Sequence, residues 1–190
     1  MQDMQAKLEN PARLAELNPE NTLKRIGLKD GDVLCDIGAG SGIFTIPAAR
    51  ITRGTVYAID LRADMLDIIA EKARTAGLGN VMPVLSDGSS YAVADGCADI
   101  ALAITVLHEV ADKAAFLKEV KRLLKPGGRM AVVEFHQRET PMGPPLARRL
   151  SMEDVGAVFA DAGFSPQDAF DLGGNFYCML FETEIVKGFY

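Results

Sequence analysis

The chain has 190 residues, 48% of them apolar, and a formal charge of −6. That length suits one domain with an apolar core of its own, needing neither a metal nor a disulfide staple. The acidic balance disfavours nucleic acid as a partner, because a phosphate backbone is bound by clustered Lys and Arg, and Arg148-Arg149 is too small a basic spot to change this. The apolar runs, such as 100–107, fall well short of the roughly 20 residues that span a bilayer. Residues 1–10 lack the apolar centre of a signal peptide, so membrane insertion is not expected and a cytoplasmic location is. Cys35, Cys97 and Cys178 are widely spaced and only two histidines accompany them, so no metal site or disulfide framework is expected. Cys35, inside an apolar run, reads as a small buried hydrophobe.

In chain order, short apolar runs alternate with longer amphipathic ones, the pattern of a parallel sheet flanked by helices. A weak helix over 2–14 precedes a second over 19–26, for which Asn18, Pro19 and Glu20 supply an N-cap, a proline at the first helical position and an early acid. VLCDI at 33–37 is the first strand, 42–51 a helix and TVYAI at 55–59 the second strand. An amphipathic helix over 63–76 stops at Gly77. Residues 81–85 and 98–104 form the third and fourth strands, 112–124 a helix, and 130–135 the fifth strand. Lys125-Pro126-Gly127-Gly128 is a turn before it. After a proline-rich loop, 140–145, Ser151 caps a helix, with Asp154 as the capping-box acid. The strand-like runs 164–172 and 176–184 are joined by Gly173-Gly174-Asn175 as a hairpin.

The run from Val33 to Gly42 is a buried strand that ends in an acid and a G-x-G-x-G turn opening a helix. Glycines there let the chain turn sharply and let a ligand lie against the backbone. Asp60 follows the second strand, 20 residues beyond Gly40, where it would meet such a ligand and accept from both hydroxyls of a ribose. Its bland alternative is a cap for the helix beginning near Arg62. The dinucleotide fingerprint G-x-G-x-x-G/A needs a small residue where this chain has Ile43, and no Tyr-x-x-x-Lys is present for hydride transfer.

VLCDIGAGSG, the acid Asp60, Ser86-Asp87-Gly88, ITVLHEV at 104–110 and LLKPGG at 123–128 together resemble the class I S-adenosylmethionine-dependent methyltransferases, specifically the quinone- and menaquinone-biosynthesis-like group (type 11). The resemblance covers about 30–184. It implies one methyltransferase domain over 1–190, with a helical lid segment at 1–29 and a cofactor-binding core at 30–190. The implied fold is α/β: a doubly wound, mostly parallel seven-stranded sheet with helices on both faces and a C-terminal antiparallel hairpin. It also implies that Asp36, Gly38, Ala39 and Gly40 hold the methionine portion of the cofactor, an ammonium and a sulfonium suiting the acid. Asp60 would bind the ribose, Leu61 and Asp87-Gly88 the adenine, and Thr105 would border the methyl group.

His108 and His136 follow the fourth and fifth strands and are the candidate general bases, an imidazole having an unperturbed pKa near 6.5. The expected partner is a small-molecule acceptor for O- or C-methylation, without nucleic acid, and a homodimer stays open as an assembly. The alternatives are a non-catalytic cofactor-binding regulator and, further off, a dinucleotide-dependent oxidoreductase.

Overall fold

The computed structural model describes residues 2–183. Seven strands, β1 (Leu34–Ile37), β2 (Val56–Asp60), β3 (Val81–Leu85), β4 (Ala98–Ile104), β5 (Leu124–Phe135), β6 (Phe164–Leu172) and β7 (Phe176–Thr183), form one sheet in the order β3-β2-β1-β4-β5-β7-β6. The first five run parallel, and β7 pairs antiparallel with both β5 and β6. The expected mixed sheet with its C-terminal hairpin is present. Its strand order reverses between β1 and β4, and that is where an open α/β sheet has a crevice beyond its strand ends.

Strand residues alternate between two cores, which is why the central strands read as unbroken apolar runs. Cys35, Ala101, Val132 and Tyr177 face one side, where α6 (Lys113–Leu123) and α7 (Met152–Asp161) add Phe116, Leu117, Val120 and Phe159. Leu34, Ile100, Leu102 and Val133 face the other, where α2 (Pro11–Leu17), α3 (Pro19–Arg25) and α4 (Thr45–Ile51) supply Leu17, Leu23 and Ala48. Between β2 and β3, α5 (Ala63–Thr75) buries Met65, Leu66, Ile69 and Ala73 at helical spacing and stops before Gly77, whose φ is +66°. Burial raises the Cys35 thiol above its ordinary pKa, and the nearby Cys97, far from it in sequence, adds to the shift.

Local chemistry accounts for where the expected boundaries shift. The single helix expected over 2–14 is two, α1 (Gln2–Leu8) and α2, because Asn10 caps a new helix by accepting from Ala12 N and Arg13 N ahead of Pro11. Asn18 lies at φ +39°, makes no side-chain cap for α3, and serves instead as the left-handed end of α2. The Lys125–Gly128 stretch, expected as a turn, belongs to β5: Leu124 pairs with Ala98 and Arg129 with Ile100, so the intervening residues bulge out of the strand. Glu184, placed in the last strand by its pattern, lies outside the described residues.

The capping box on α7 is complete. Ser151 Oγ accepts from Asp154 N at 3.0 Å, and Asp154 Oδ2 accepts from Ser151 N at 3.1 Å. Ser151→Ala should cost about 1 kcal/mol of stability, read as a fall of roughly 2–4 °C in the thermal midpoint for a domain of this size.

Candidate functional site

The glycine turn closes the C-terminal end of β1. Gly38 N and Ala39 N both donate to Ile59 O, at 2.8 and 3.0 Å, so the turn is bonded to the neighbouring strand β2. Gly38 has φ +72°, and a Cβ there would collide with Val106; Gly40 has φ +52°, and a Cβ there would come within 2.9 Å of Leu8. The positive φ at both positions favours glycine, and at Gly38 the close approach of Val106 adds to that requirement. Asp36, at the sheet side of the turn, is buried and accepts from Thr45 Oγ1 of α4 at 2.6 Å. Desolvation raises its pKa to about 7, with the Thr45 hydrogen bond opposing the shift and the nearby Asp60 charge adding to it.

Asp60 is the last residue of β2. Its Oδ2 accepts from Gly40 N at 2.8 Å and its Oδ1 from Arg62 N at 2.9 Å. The carboxylate thus binds the glycine turn to the entry of α5, and each oxygen keeps a lone pair for another donor. Leu61 is 63% exposed, and the Cβ position at Gly88 lies 3.3 Å from its Cδ2. The two make an apolar ledge beside Asp60. Asp87 is turned toward its own loop, where Oδ1 accepts from Ser89 N and Ser89 Oγ, bonds that hold its carboxyl below the usual carboxylate range.

Thr105 follows β4 at φ +55°, a left-handed backbone that a β-branched residue rarely adopts. Its Oγ1 accepts from Arg13 Nη2 of α2 at 3.0 Å. Arg13 is itself buried, its guanidinium 5.8 Å from the Phe135 ring centroid and 5.4 Å from that of Phe176. Desolvation lowers its pKa and the Glu134 charge opposes this. A cleft of about 20 Å³ is lined by Leu8, Arg13, Asp36, the turn 38–41 and Ile104 among others. Arg13 Nε, in a residue lining it, is buried with no hydrogen-bond partner among the described residues, whereas the Ser41 side chain hydrogen-bonds the Glu9 carboxylate and helps hold its pKa down.

The two histidines have different surroundings. His108 lies in a short 3-10 turn after β4, and Glu134 near the end of β5 reaches it twice: Oε1 accepts from His108 N at 3.1 Å and Oε2 lies 2.7 Å from Nδ1. Both side chains are almost fully buried. The carboxylate therefore fixes a proton on Nδ1 and leaves Nε2, 3.8 Å from Glu109 Oε1, as the basic nitrogen. His136 sits toward the hairpin, with its ring against Tyr177 and Nε2 3.0 Å from Asp171 Oδ1, an ion contact outside hydrogen-bond geometry. No hydrogen bond or ion pair among the described residues joins it to the His108–Glu134 pair or to the glycine turn. Its backbone carbonyl accepts from Arg149 Nη1, and Arg149 also donates to Arg138 O, Thr140 Oγ1, Met142 O and Pro144 O, pinning the proline-rich loop.

Arg13, Ser41 and Thr45 are absent from the sequence-based set, and Glu134, read there only as a possible substitute base, is the partner of His108. Glu134 carried a signal, an acid inside the apolar strand AVVEF, whereas Arg13 and Thr105 are 92 positions apart and nothing local announces their contact. Among the described residues no cluster of His, Cys, Asp and Glu could hold a metal ion, and no helix is long and apolar enough to cross a membrane.

Residues 35–132 match the methyltransferase domain family. The ubiquinone/menaquinone biosynthesis C-methyltransferase UbiE of Haemophilus ducreyi is 32% identical over 151 residues, covering 78% of this chain and 57% of that protein. UbiE of Vibrio vulnificus is 33% identical over 67% of this chain and 49% of its own length. The chain thus spans about half the length of these curated relatives. A solved SAM-dependent methyltransferase from Aquifex aeolicus has a TM-score of 0.90 and 30% identity, covering 97% of this chain and 98% of that one. The match over half the sequence and the full-length structural agreement show that this chain belongs to the type 11 group of class I S-adenosylmethionine-dependent methyltransferases.

Proposed function

We propose that the chain transfers a methyl group from S-adenosylmethionine to the oxygen or an activated carbon of a small-molecule acceptor, with His108 as general base and Glu134 as the group that orients it. The observation that carries this reading is the buried His108–Glu134 pair at the ends of β4 and β5, beside the crevice that holds the glycine turn, Asp36 and Asp60. The residues fit the cofactor. Gly38 and Gly40 turn the backbone at positive φ at the end of β1, Asp36 can accept from an ammonium, Asp60 has free lone pairs for ribose hydroxyls, and Leu61 with Gly88 offers a ledge for a base.

Bound there, the cofactor supplies a methyl group on a cationic sulfur that departs as a neutral thioether. The protein's work is alignment, exclusion of water and removal of one proton. His108 Nε2 takes that proton from the acceptor as the new bond to the methyl forms, and Glu134 stabilises the resulting imidazolium through Nδ1–H. Residues 1–29 act as a lid, supported by Leu8 over Gly40, Arg13 on Thr105, and Glu16, whose Oε2 accepts from Asn175 N at 2.8 Å. The cytoplasmic location, the absence of a nucleic-acid role and a candidate homodimer remain part of this proposal, the second supported by the net charge of −6. No observation favours the regulator or the oxidoreductase. Gly42 already provides the close helix approach, its Cβ position lying 2.8 Å from Ile69, one residue before the dinucleotide spacing would place it.

Incubation with methyl-labelled donor and a metabolite pool enriched in phenols and hydroquinones, the acceptor type the relatives' names point to, should yield a labelled small molecule. Label found only on unreacted donor across such pools would overturn the reading.

A pH dependence follows from Asp36. Its carboxyl is protonated below a pKa of about 7, and only the carboxylate attracts the cofactor's ammonium. Affinity for S-adenosylhomocysteine should therefore be full above pH 7 and fall by up to about tenfold per unit as pH drops below it. Asp36→Asn should bind more weakly and flatten that slope in calorimetric titrations; a flat wild-type profile would show that Asp36 does not meet the ammonium.

A further inference from the structure

We propose that Arg148 is an acceptor-binding residue, and that the acceptor it selects carries a carboxylate on the carbon next to the one bearing the reacting hydroxyl. The inference deepens the methyltransferase reading above and rests on it. Its basis is where the Glu109 carboxylate lies. Glu109 Oε1 is 3.8 Å from His108 Nε2 and also 3.8 Å from Arg148 Nη2, so one carboxylate oxygen sits between the open nitrogen of the base and a guanidinium. Both contacts exceed hydrogen-bond distance. The side chains of Arg148 and Glu109 are 55% and 65% exposed, and an ion pair so loose and so wet is worth little. A ligand can displace it at small cost.

The other charged groups nearby are already committed. Arg149 spends its guanidinium on oxygens of residues 136–144, which pins the loop and with it the 3-10 turn Leu146–Arg148 that carries Arg148. Glu134 is held by the ring and backbone of His108. Among the described residues the Arg148 guanidinium donates no hydrogen bond and has Glu109 as its one ionic neighbour, while His108 Nε2 makes no hydrogen bond at all. The base and the cation are therefore both open, and a carboxylate of the chain itself stands where a ligand's carboxylate would stand.

The span between the two nitrogens sets the shape of the acceptor. Because they share one neighbouring oxygen, they lie within reach of two adjacent substituents on a small molecule. A hydroxyl can donate to His108 Nε2 while a carboxylate on the next carbon takes two parallel N–H donors of Arg148. A carboxylate across a ring from the hydroxyl is too long for a gap that one oxygen atom bridges. Pairing with Arg148 also draws the carboxylate away from its own neighbouring hydroxyl, whose proton is then free to pass to Nε2. Glu109, at the end of its short turn, swings to solvent as the acceptor enters.

The test is calorimetric titration of the protein saturated with S-adenosylhomocysteine, using 2-hydroxybenzoate, 4-hydroxybenzoate and phenol as probes. Wild-type protein should take 2-hydroxybenzoate roughly tenfold to a hundredfold more tightly than either of the others, the range for hydrogen bonds to a charged group. Arg148→Gln, at an exposed position, should bring the three affinities to within about threefold of one another by weakening 2-hydroxybenzoate. Glu109→Gln removes the competing carboxylate and should tighten 2-hydroxybenzoate by about twofold to threefold. Wild-type protein that shows no such preference or does not bind 2-hydroxybenzoate, an Arg148→Gln variant that keeps the preference, or a Glu109→Gln variant that loses it would overturn this assignment while leaving the methyltransferase reading intact. Wild-type protein that does not bind S-adenosylhomocysteine would overturn both.

Discussion

Replacing His108 by Ala lowers kcat by about 10²- to 10⁴-fold with cofactor affinity nearly unchanged, the range expected when a positioned general base is lost. The expectation comes from how the imidazole is held. Glu134 accepts from both the backbone and the ring of His108, so the ring has one tautomer and one orientation before any acceptor arrives. Glu134→Gln keeps the shape but can present an amide N–H to Nδ1, which favours the opposite tautomer and removes the charge that stabilises the imidazolium. That variant should lose turnover mainly in kcat, with KM for the acceptor little changed. A folded His108→Ala protein that keeps full turnover would show that methyl transfer here runs on alignment alone. His136, held between Tyr177 and Asp171, is the comparison, and on this account its alanine variant keeps most of its rate.

Asp60→Ala should weaken S-adenosylhomocysteine binding by about 2–3 kcal/mol, since hydrogen bonds to a charged acceptor are worth about 1.5–3 kcal/mol; that is tens to about a hundredfold in affinity. Asp60 has two duties that the variant would remove together. It bonds to Gly40 N and so sets the turn, and on the proposed function its remaining lone pairs would take the ribose hydroxyls. Asp60→Asn separates them. The amide oxygen can still accept from Gly40 N, whereas the charge offered to the ribose is gone, so affinity should fall while the thermal midpoint holds. Unchanged affinity in both folded variants would leave Asp60 as a structural tie between β2, the glycine turn and α5.

The parts of the site legible in the sequence are those built from consecutive residues. A strand that ends in an acid and opens into G-x-G-x-G dictates its own turn, and the next strand delivers Asp60 to Gly40 because parallel neighbours end at the same edge. The same locality made the α7 capping box and the β6–β7 hairpin readable. The residues that were missed act across the fold. Arg13 belongs to a helix whose start was hidden, because Asn10-Pro11 is a cap and first-turn signal buried in a run that otherwise looked continuous. Its meaning depends on Thr105, Phe135 and Phe176, none of them near it in sequence. The Lys125–Gly128 stretch misled for a different reason: proline and glycines punctuate a turn and a strand bulge alike, and only the pairing of Leu124 with Ala98 separates the two. Asp87 was legible in position but not in orientation, since its hydrogen bonds go to Ser89 and Ser90 of its own loop.

The central claim, that the crevice beside β1 and β4 takes a zwitterionic adenosyl ligand without phosphates, is tested most directly by titrating the wild-type protein with S-adenosylhomocysteine and, separately, with NAD in a calorimeter. The glycine turn has the wrong spacing for a pyrophosphate, and Asp36 and Asp60 make the crevice acidic, so S-adenosylhomocysteine should give a saturable heat at one site per chain and NAD none. NAD binding of comparable affinity, or no binding of S-adenosylhomocysteine, would contradict the account.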